Sequence, residues 1–231
     1  MKNFLPLFLC AVIILTSACA GNRQINAFAT IDGFVDVKEI IPTVHLDIRY
    51  YTTHNFVGSR INGYDAPKCF LTKEAAIALK KVQEELERNQ QSLKIFDCYR
   101  PQRAVDHFVR WAKELSDQKM KSEFYPSIDR KNLFRDGYIA AKSGHSRGST
   151  IDLTIMDLNS NQELDMGTGF DFFDPLSHTV NSRISQSQLN NRMALKNIME
   201  SNGFKNLKEE WWHFTLRNEP YPDTYFDFRI H

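Results

Sequence analysis

The stretch SGHSRGSTIDLTIMD, residues 143 to 157, decides how this chain is read. Its second half alternates with period two: Ile151, Leu153 and Ile155 fall on one face, Asp152 and Thr154 on the other. That is the pattern of a β-strand. Its first half carries His145 and a bend through Ser146-Arg147-Gly148, where glycine permits a sharp turn. Two readings stand side by side. The segment is either a polar hairpin with an incidental histidine, or a device that sets His145 and Asp152 on one metal.

Outward from this strand, three helices are expected. In TKEAAIALKKVQEELERNQQ (72–91), Thr72 is an N-cap, and Ala75, Leu79, Val82 and Leu86 keep a helical period. In RPQRAVDHFVRWAKEL (100–115), Pro101 fits the first helical position, with Ala104, Val105, Phe108, Trp111, Ala112 and Leu115 as one apolar face. In SQLNNRMALKNIMESNG (187–203), Leu189, Leu195, Ile198 and Met199 form the stripe, and Gly203 is the stop. Further strands are expected in LKIFDCY (93–99) and in the aromatic run EEWWHFTL (209–216), and extended chain over 33–49. Helices and strands do not alternate regularly. This predicts an α+β fold, a single domain over residues 21–231, with a largely antiparallel central sheet flanked by helices.

The chain has 231 residues, 42% hydrophobic and 25% charged, with a net charge of +1 and 17 phenylalanines. That composition suits a globular domain with an aromatic-rich core. No basic run points to a nucleic-acid partner. The first segment, MKNFLPLFLCAVIILTSACAG (1–21), differs from the rest. Lys2, an apolar run from Phe4 to Leu15 and then small residues make a secretory signal peptide over residues 1–20, too short in its apolar part for a membrane span. Ala18-Cys19-Ala20 fits an ordinary cleavage site, and Leu15 to Cys19 also resembles a bacterial lipobox in which Cys19 is lipidated. The second reading is favoured, and it would tether the protein to a membrane surface. Export to the periplasm or cell envelope follows from either. In that oxidising setting, Cys69 and Cys98 are either bridged or two buried thiols. A bridge would close a loop of about 30 residues and contribute on the order of 3 kcal/mol.

Two further motifs carry chemistry. In EEWWHF, Glu210 precedes His213 by three residues. A carboxylate beside a metal-ligand histidine is what a hydrolase needs as general base, although residues three apart on a regular strand face opposite sides, so a bulge or strand end is required. A surface glutamate beside a core histidine is the other reading. In IFDCYRP, Arg100 stands between a strand and a helix, where Asp97 can orient it and where it can stabilise an oxyanion or serve as half of a structural pair.

Together, S-x-H-x6-D (Ser143, His145, Asp152), E-x-x-H (Glu210, His213) and D-x-Y-R-P (Asp97 to Pro101) resemble the VanX-type D-alanyl-D-alanine dipeptidases, zinc enzymes of the D,D-peptidase/Hedgehog-like superfamily. The blocks RYYTTHNFVG (49–58), YRPQRAVDHFVRWA (99–112), SGHSRGSTIDLT (143–154), MGTGFDFFD (166–174) and EWWHF (210–214) resemble the family in the same order. The resemblance runs from about residue 35 to the end. It implies His145, Asp152 and His213 as ligands of one Zn2+ per chain, Glu210 as catalytic base and Arg100 as the transition-state arginine. It further implies Ser143 near the substrate carboxylate, Asp171 at the substrate ammonium, Tyr50 in the pocket wall and Asp97 as partner of Arg100. The implied reaction is hydrolysis of D-Ala-D-Ala by water that zinc activates. An envelope D,D- or L,D-carboxypeptidase and a non-catalytic zinc-binding module are the alternatives. Some positions depart from the family: Thr150 stands where alanine is usual, Tyr51 and His54 replace a small residue and an acid, and Cys98 replaces a glycine-like residue. These put pocket shape and substrate preference in question more than metal binding.

Overall fold

The computed structural model describes Met1 and residues 32–231. Apart from Met1, the segment expected to be a signal peptide, Cys19 included, lies outside the described residues. The fold is α+β. Its main sheet runs in the order β2 (His45–Leu46), β4 (Gln91–Asp97), β5 (Thr150–Asp157), β8 (His213–Leu216), β7 (Phe204–Asn206), with β6 (Gln162–Glu163) also paired to β5. The sheet is mixed: β2 runs parallel to β4, and the other pairings are antiparallel. A separate antiparallel ribbon joins β1 (Phe34–Asp36) to β3 (Phe70–Thr72).

Of the three longer helices, two pack directly on the sheet. Helix α2 (Lys73–Glu87) begins at Thr72, whose hydroxyl accepts from the Ala75 amide, and it buries Ala75, Leu79, Val82 and Leu86. It packs on β4 and on α5 (Gln186–Ser201). Helix α3 (Gln102–Lys113) buries Ala104, Val105, Phe108, Trp111 and Ala112. Short helices α1 (Val37–Ile40) and α4 (Lys121–Phe124) close loops. Because helices and loops cover both sides of β5, every residue from Thr150 to Met156 is buried, polar ones included.

Four expectations change. Pro101 is the N-cap of α3 with extended backbone, so the helix starts one residue later at Gln102. Leu115 lies past the end of that helix and is 51% exposed. The 33–49 stretch is broken by α1, where the Asp36 side chain accepts from the Lys38 amide and starts a helical turn. The aromatic run 209–216 is a strand only from His213. Before it the chain turns, with the His213 amide donating to Glu210 O (3.2 Å) and Asn206 Nδ2 donating to both Glu210 O (3.1 Å) and His213 O (3.0 Å). Side-chain hydrogen bonds from a neighbouring strand here outweigh the β-propensity of the tryptophans.

Candidate active site

Strand pairing assembles the site. Asp152 lies opposite His213 in the β5–β8 register. On the other side, the β4–β5 register shifts between Ile95 and Asp97, so that Asp97 faces Asp152 rather than Ile151. A bulge thus brings Asp97, Asp152 and His213 into one row across three strands. His145 arrives from the short 3-10 turn Gly144–Arg147. Ser143 caps that turn, its Oγ accepting from the His145 amide at 3.3 Å, and Gly148 ends it with φ 82°. A Cβ on Gly148 would lie 2.2 Å from the Phe34 ring, so both conformation and space demand glycine.

The three side chains converge. Donor atoms of His145, Asp152 and His213 all lie within 4.8 Å of one another. His145 Nε2 is 3.1 Å from Asp152 Oδ2, and His213 Nδ1 is 3.0 Å from Asp152 Oδ1. The latter is close, yet Asp152 Oδ1 is buried without a hydrogen bond of acceptable geometry. His145 Nδ1 sits 2.7 Å from Cys98 O. A carbonyl only accepts, so Nδ1 carries the proton and Nε2 turns a free lone pair to the centre. That outer contact is the usual way a metal-ligand histidine is oriented. Burial holds the His145 pKa below its ordinary value, which keeps the ring neutral. Burial opposes ionisation of Asp152, but its close contacts with the imidazoles of His145 and His213 outweigh it and hold the carboxylate well below the usual range. For His213, burial is outweighed by Asp152 and Glu210, and its pKa rises. Lone pairs that converge and meet only one another fit a divalent cation, which would replace the proton on His213. The donor set, two imidazoles and a carboxylate, is one that zinc accepts with a position left open.

Around the centre is a cavity of about 230 Å³ lined by Tyr50, Arg100, Ser143, Asp171, Phe173, Glu210 and the three ligand candidates, among others. Glu210 Oε2 lies 3.4 Å from His213 Nδ1. The turn ahead of β8 is what lets residues three apart meet there. Burial, opposed by His213 and reinforced by Asp152, raises the Glu210 pKa, a direction that suits a base. Arg100 donates to Asp97 Oδ2 through Nε (2.9 Å), its Nη2 pairs with the same oxygen at 2.8 Å, and Nη2 is 3.5 Å from Asp152 Oδ2. The rings of Tyr50 and Phe108 flank its guanidinium at 4.9 and 5.2 Å. Tyr64 Oη donates to the second oxygen of Asp97 at 2.6 Å. On the far wall, Tyr50 Oη donates to Asp171 Oδ2 at 2.8 Å. Burial first, then the Asp152 charge, pushes the Asp171 carboxyl well above its usual range.

Every site residue expected from the sequence, apart from Cys19, is therefore described, and Tyr50, Arg100, Ser143, His145, Asp152, Asp171, Glu210 and His213 share one cavity, with Asp97 behind Arg100. The departures are absorbed elsewhere. Thr150 Oγ1 pairs with Thr215 Oγ1 (2.9 Å) on the neighbouring strand. His54 meets Glu123 (2.6 Å), and neither His54 nor Tyr51 lines the cavity. Cys98 forms a disulfide with Cys69, with Cα atoms 5.3 Å apart. Two residues near the centre escaped the sequence reading: Tyr64, which holds Asp97, and Tyr138, which lines the cavity, carry no local signal. Arg192 on α5, also missed, does carry one: it shares the buried face of Leu195 and Met199 at positions i, i+3 and i+7.

Comparison with known proteins points the same way. A family model described as D-ala-D-ala dipeptidase, peptidase family M15, matches residues 30–231. The chain is 42% identical over 199 residues to a D-alanyl-D-alanine dipeptidase of Enterococcus faecalis, covering 86% of this chain and 98% of that relative. Dipeptidases of the same name from Streptomyces coelicolor (43% over 197 residues; 85% and 98% covered) and Enterococcus faecium (42% over 198 residues; 86% and 98%) are similar to it in the same way.

Proposed function

The chain belongs to the D-ala-D-ala dipeptidase family of peptidases, and on that premise we propose that it hydrolyses D-alanyl-D-alanine to two D-alanines with one zinc ion held by His145, Asp152 and His213. The observation that carries this reading is the convergence of those three side chains beside Glu210 and Arg100 in one small cavity. Bound zinc would supply Lewis acidity toward the scissile carbonyl and make water acidic enough to lose a proton near neutral pH. Glu210 takes that proton and returns it to the departing amine. Its raised pKa lets it serve both steps. Arg100, fixed by Asp97 and sandwiched by two rings, stabilises the oxyanion with little reorganisation.

Both ends of the substrate have a partner. Asp171, backed by Tyr50, faces the ammonium, whose charge would draw the carboxyl into its ionised form. Ser143 Oγ already accepts from an amide, so its own proton remains free to donate to the substrate carboxylate. Reading both charges restricts cleavage to dipeptides, since a longer peptide lacks an ammonium at that wall. The mixed sheet is read as the largely antiparallel sheet of the D,D-peptidase/Hedgehog-like fold, within a single domain over residues 21–231. The signal-like segment 1–20 and the Cys69–Cys98 bridge together support an exported, envelope-facing protein, with Cys19 as the candidate lipid anchor. Mass analysis of the mature N-terminus tests that part.

The enzymatic test compares metal-depleted and zinc-restored protein on D-Ala-D-Ala and on a peptidoglycan stem pentapeptide. Zinc-dependent cleavage of the dipeptide alone is expected. Release of D-alanine from the pentapeptide would favour a carboxypeptidase, and absence of any metal-dependent hydrolysis would favour a binding module.

A further inference from the structure

Arg192 is fully buried in the middle of α5. It forms no salt bridge among the described residues. Its partners are main-chain carbonyls: Nε donates to Met166 O (2.6 Å), and Nη1 donates to Leu176 O (2.9 Å) and His178 O (2.6 Å). Burial lowers its pKa to about 10, which leaves it charged at neutral pH. The nearest counter-charge is Asp165, which acts on it through space without a direct salt bridge, and a buried cation held chiefly by carbonyls is costly and calls for a specific return.

The three carbonyls bracket one loop, and Asp171 lies midway between Met166 and Leu176. Asp171 itself has φ 59°, in the left-handed region that non-glycine residues seldom adopt. Such a conformation persists only where its surroundings fix it. The surroundings here are dense. Trp211 Nε1 donates to Thr168 Oγ1 (2.8 Å), Ser177 Oγ donates to Phe172 O (2.6 Å), and the Trp211 amide donates to Ser177 O (3.1 Å). The two Trp211 bonds tie the loop to the segment that carries Glu210 and His213, and the Ser177 bond braces the loop internally. The fork of Arg192 ties its two ends to a rigid helix.

We propose that Arg192 is a positioning residue for substrate recognition: by fastening both ends of the 166–178 loop to α5, it holds the Asp171 carboxylate where the ammonium of a dipeptide would sit. The inference rests on the dipeptidase reading of the cavity. A packing role alone would lower stability and leave selectivity for a free amino terminus unchanged. A positioning role moves that selectivity.

The test uses the full, zinc-restored protein with Arg192→Gln and Arg192→Lys, measured on D-Ala-D-Ala and on N-acetyl-D-Ala-D-Ala, with metal content determined for each. For Arg192→Gln, KM for the free dipeptide should rise at least about tenfold with a smaller change in kcat, and the preference for free over acetylated substrate should fall by a similar factor. Metal content should match wild type. Arg192→Lys should fall between, because it keeps the charge and loses the planar fork. Unchanged KM and preference in a folded variant, with only a lower Tm, would overturn the inference. So would an Arg192→Lys protein that does not fold, since the guanidinium would then serve the fold as a whole. Wild-type protein inactive on D-Ala-D-Ala would remove the dipeptidase reading and this inference together, an outcome distinct from an active wild type with unmoved variants.

Discussion

Glu210 and Asp171 are both carboxylates in one cavity, with different neighbours, and the proposed mechanism gives them different tasks. Glu210 touches His213 at 3.4 Å and holds no metal-ligand position. Glu210→Ala should keep its zinc and lose turnover by about a thousandfold, the usual range for a lost general base. Metal analysis alongside kcat checks this, and retained turnover in the loaded variant would remove Glu210 from that role. Asp171 predicts a trade-off. Its folded pKa lies above the value of an unfolded aspartate, through burial and then the Asp152 charge. Its contribution to stability is therefore complete below about pH 4 and is lost as pH rises through the folded pKa. Asp171→Asn should raise Tm at neutral pH, with the gain shrinking toward pH 4, while kcat/KM falls. Thermal melts of metal-free protein across that range, beside steady-state kinetics, would show whether the two effects separate.

At the scale of elements, the turn Gly144–Arg147 and the end of β8 do the assembling. One delivers His145 and the other His213, each at a place where regular structure stops. Regular strands could not bring Glu210 and His213 together, and the turn closed by Asn206 does. Gly148→Ala tests the first of these. Its positive φ and the Phe34 ring beneath it leave no room for a methyl group, so a loss of about 2 kcal/mol or more is expected. Because the same turn sets His145 against Asp152, zinc should also be released at lower chelator concentration. A lower Tm with unaltered zinc retention would mean that the turn and the centre are not coupled.

Across the whole molecule, the Cys69–Cys98 bridge links the start of β3 to the strand end that bears Asp97, Arg100 and the carbonyl holding His145. It spans 29 residues. Replacing both cysteines by serine should cost about 3 kcal/mol through the freer unfolded chain. Denaturant unfolding of the oxidised protein and of the double variant measures this directly. Equal midpoints would show that the bridge contributes nothing to stability. Among the described residues no helix is long and apolar enough to cross a membrane.

The sequence by itself determined what is local. Period-two alternation marked β5, caps and apolar stripes marked α2 and most of α5, and the ordered family blocks, rather than any one spacing, pointed to His145, Asp152, Glu210 and His213. Its misreadings came where a distant partner decides a local state. Trp211 and Trp212 favour a strand, but Asn206 from another strand bends them. Leu115 continues an apolar stripe that the helix does not reach. Only the tertiary structure decided that a register shift places Asp97 opposite Asp152, that Cys98 O orients His145, and that Arg192 binds carbonyls on both sides of Asp171. The reason is physical. Propensity and periodicity act over a few residues, whereas strand register and buried hydrogen bonds are settled by the energy of groups far apart in the chain.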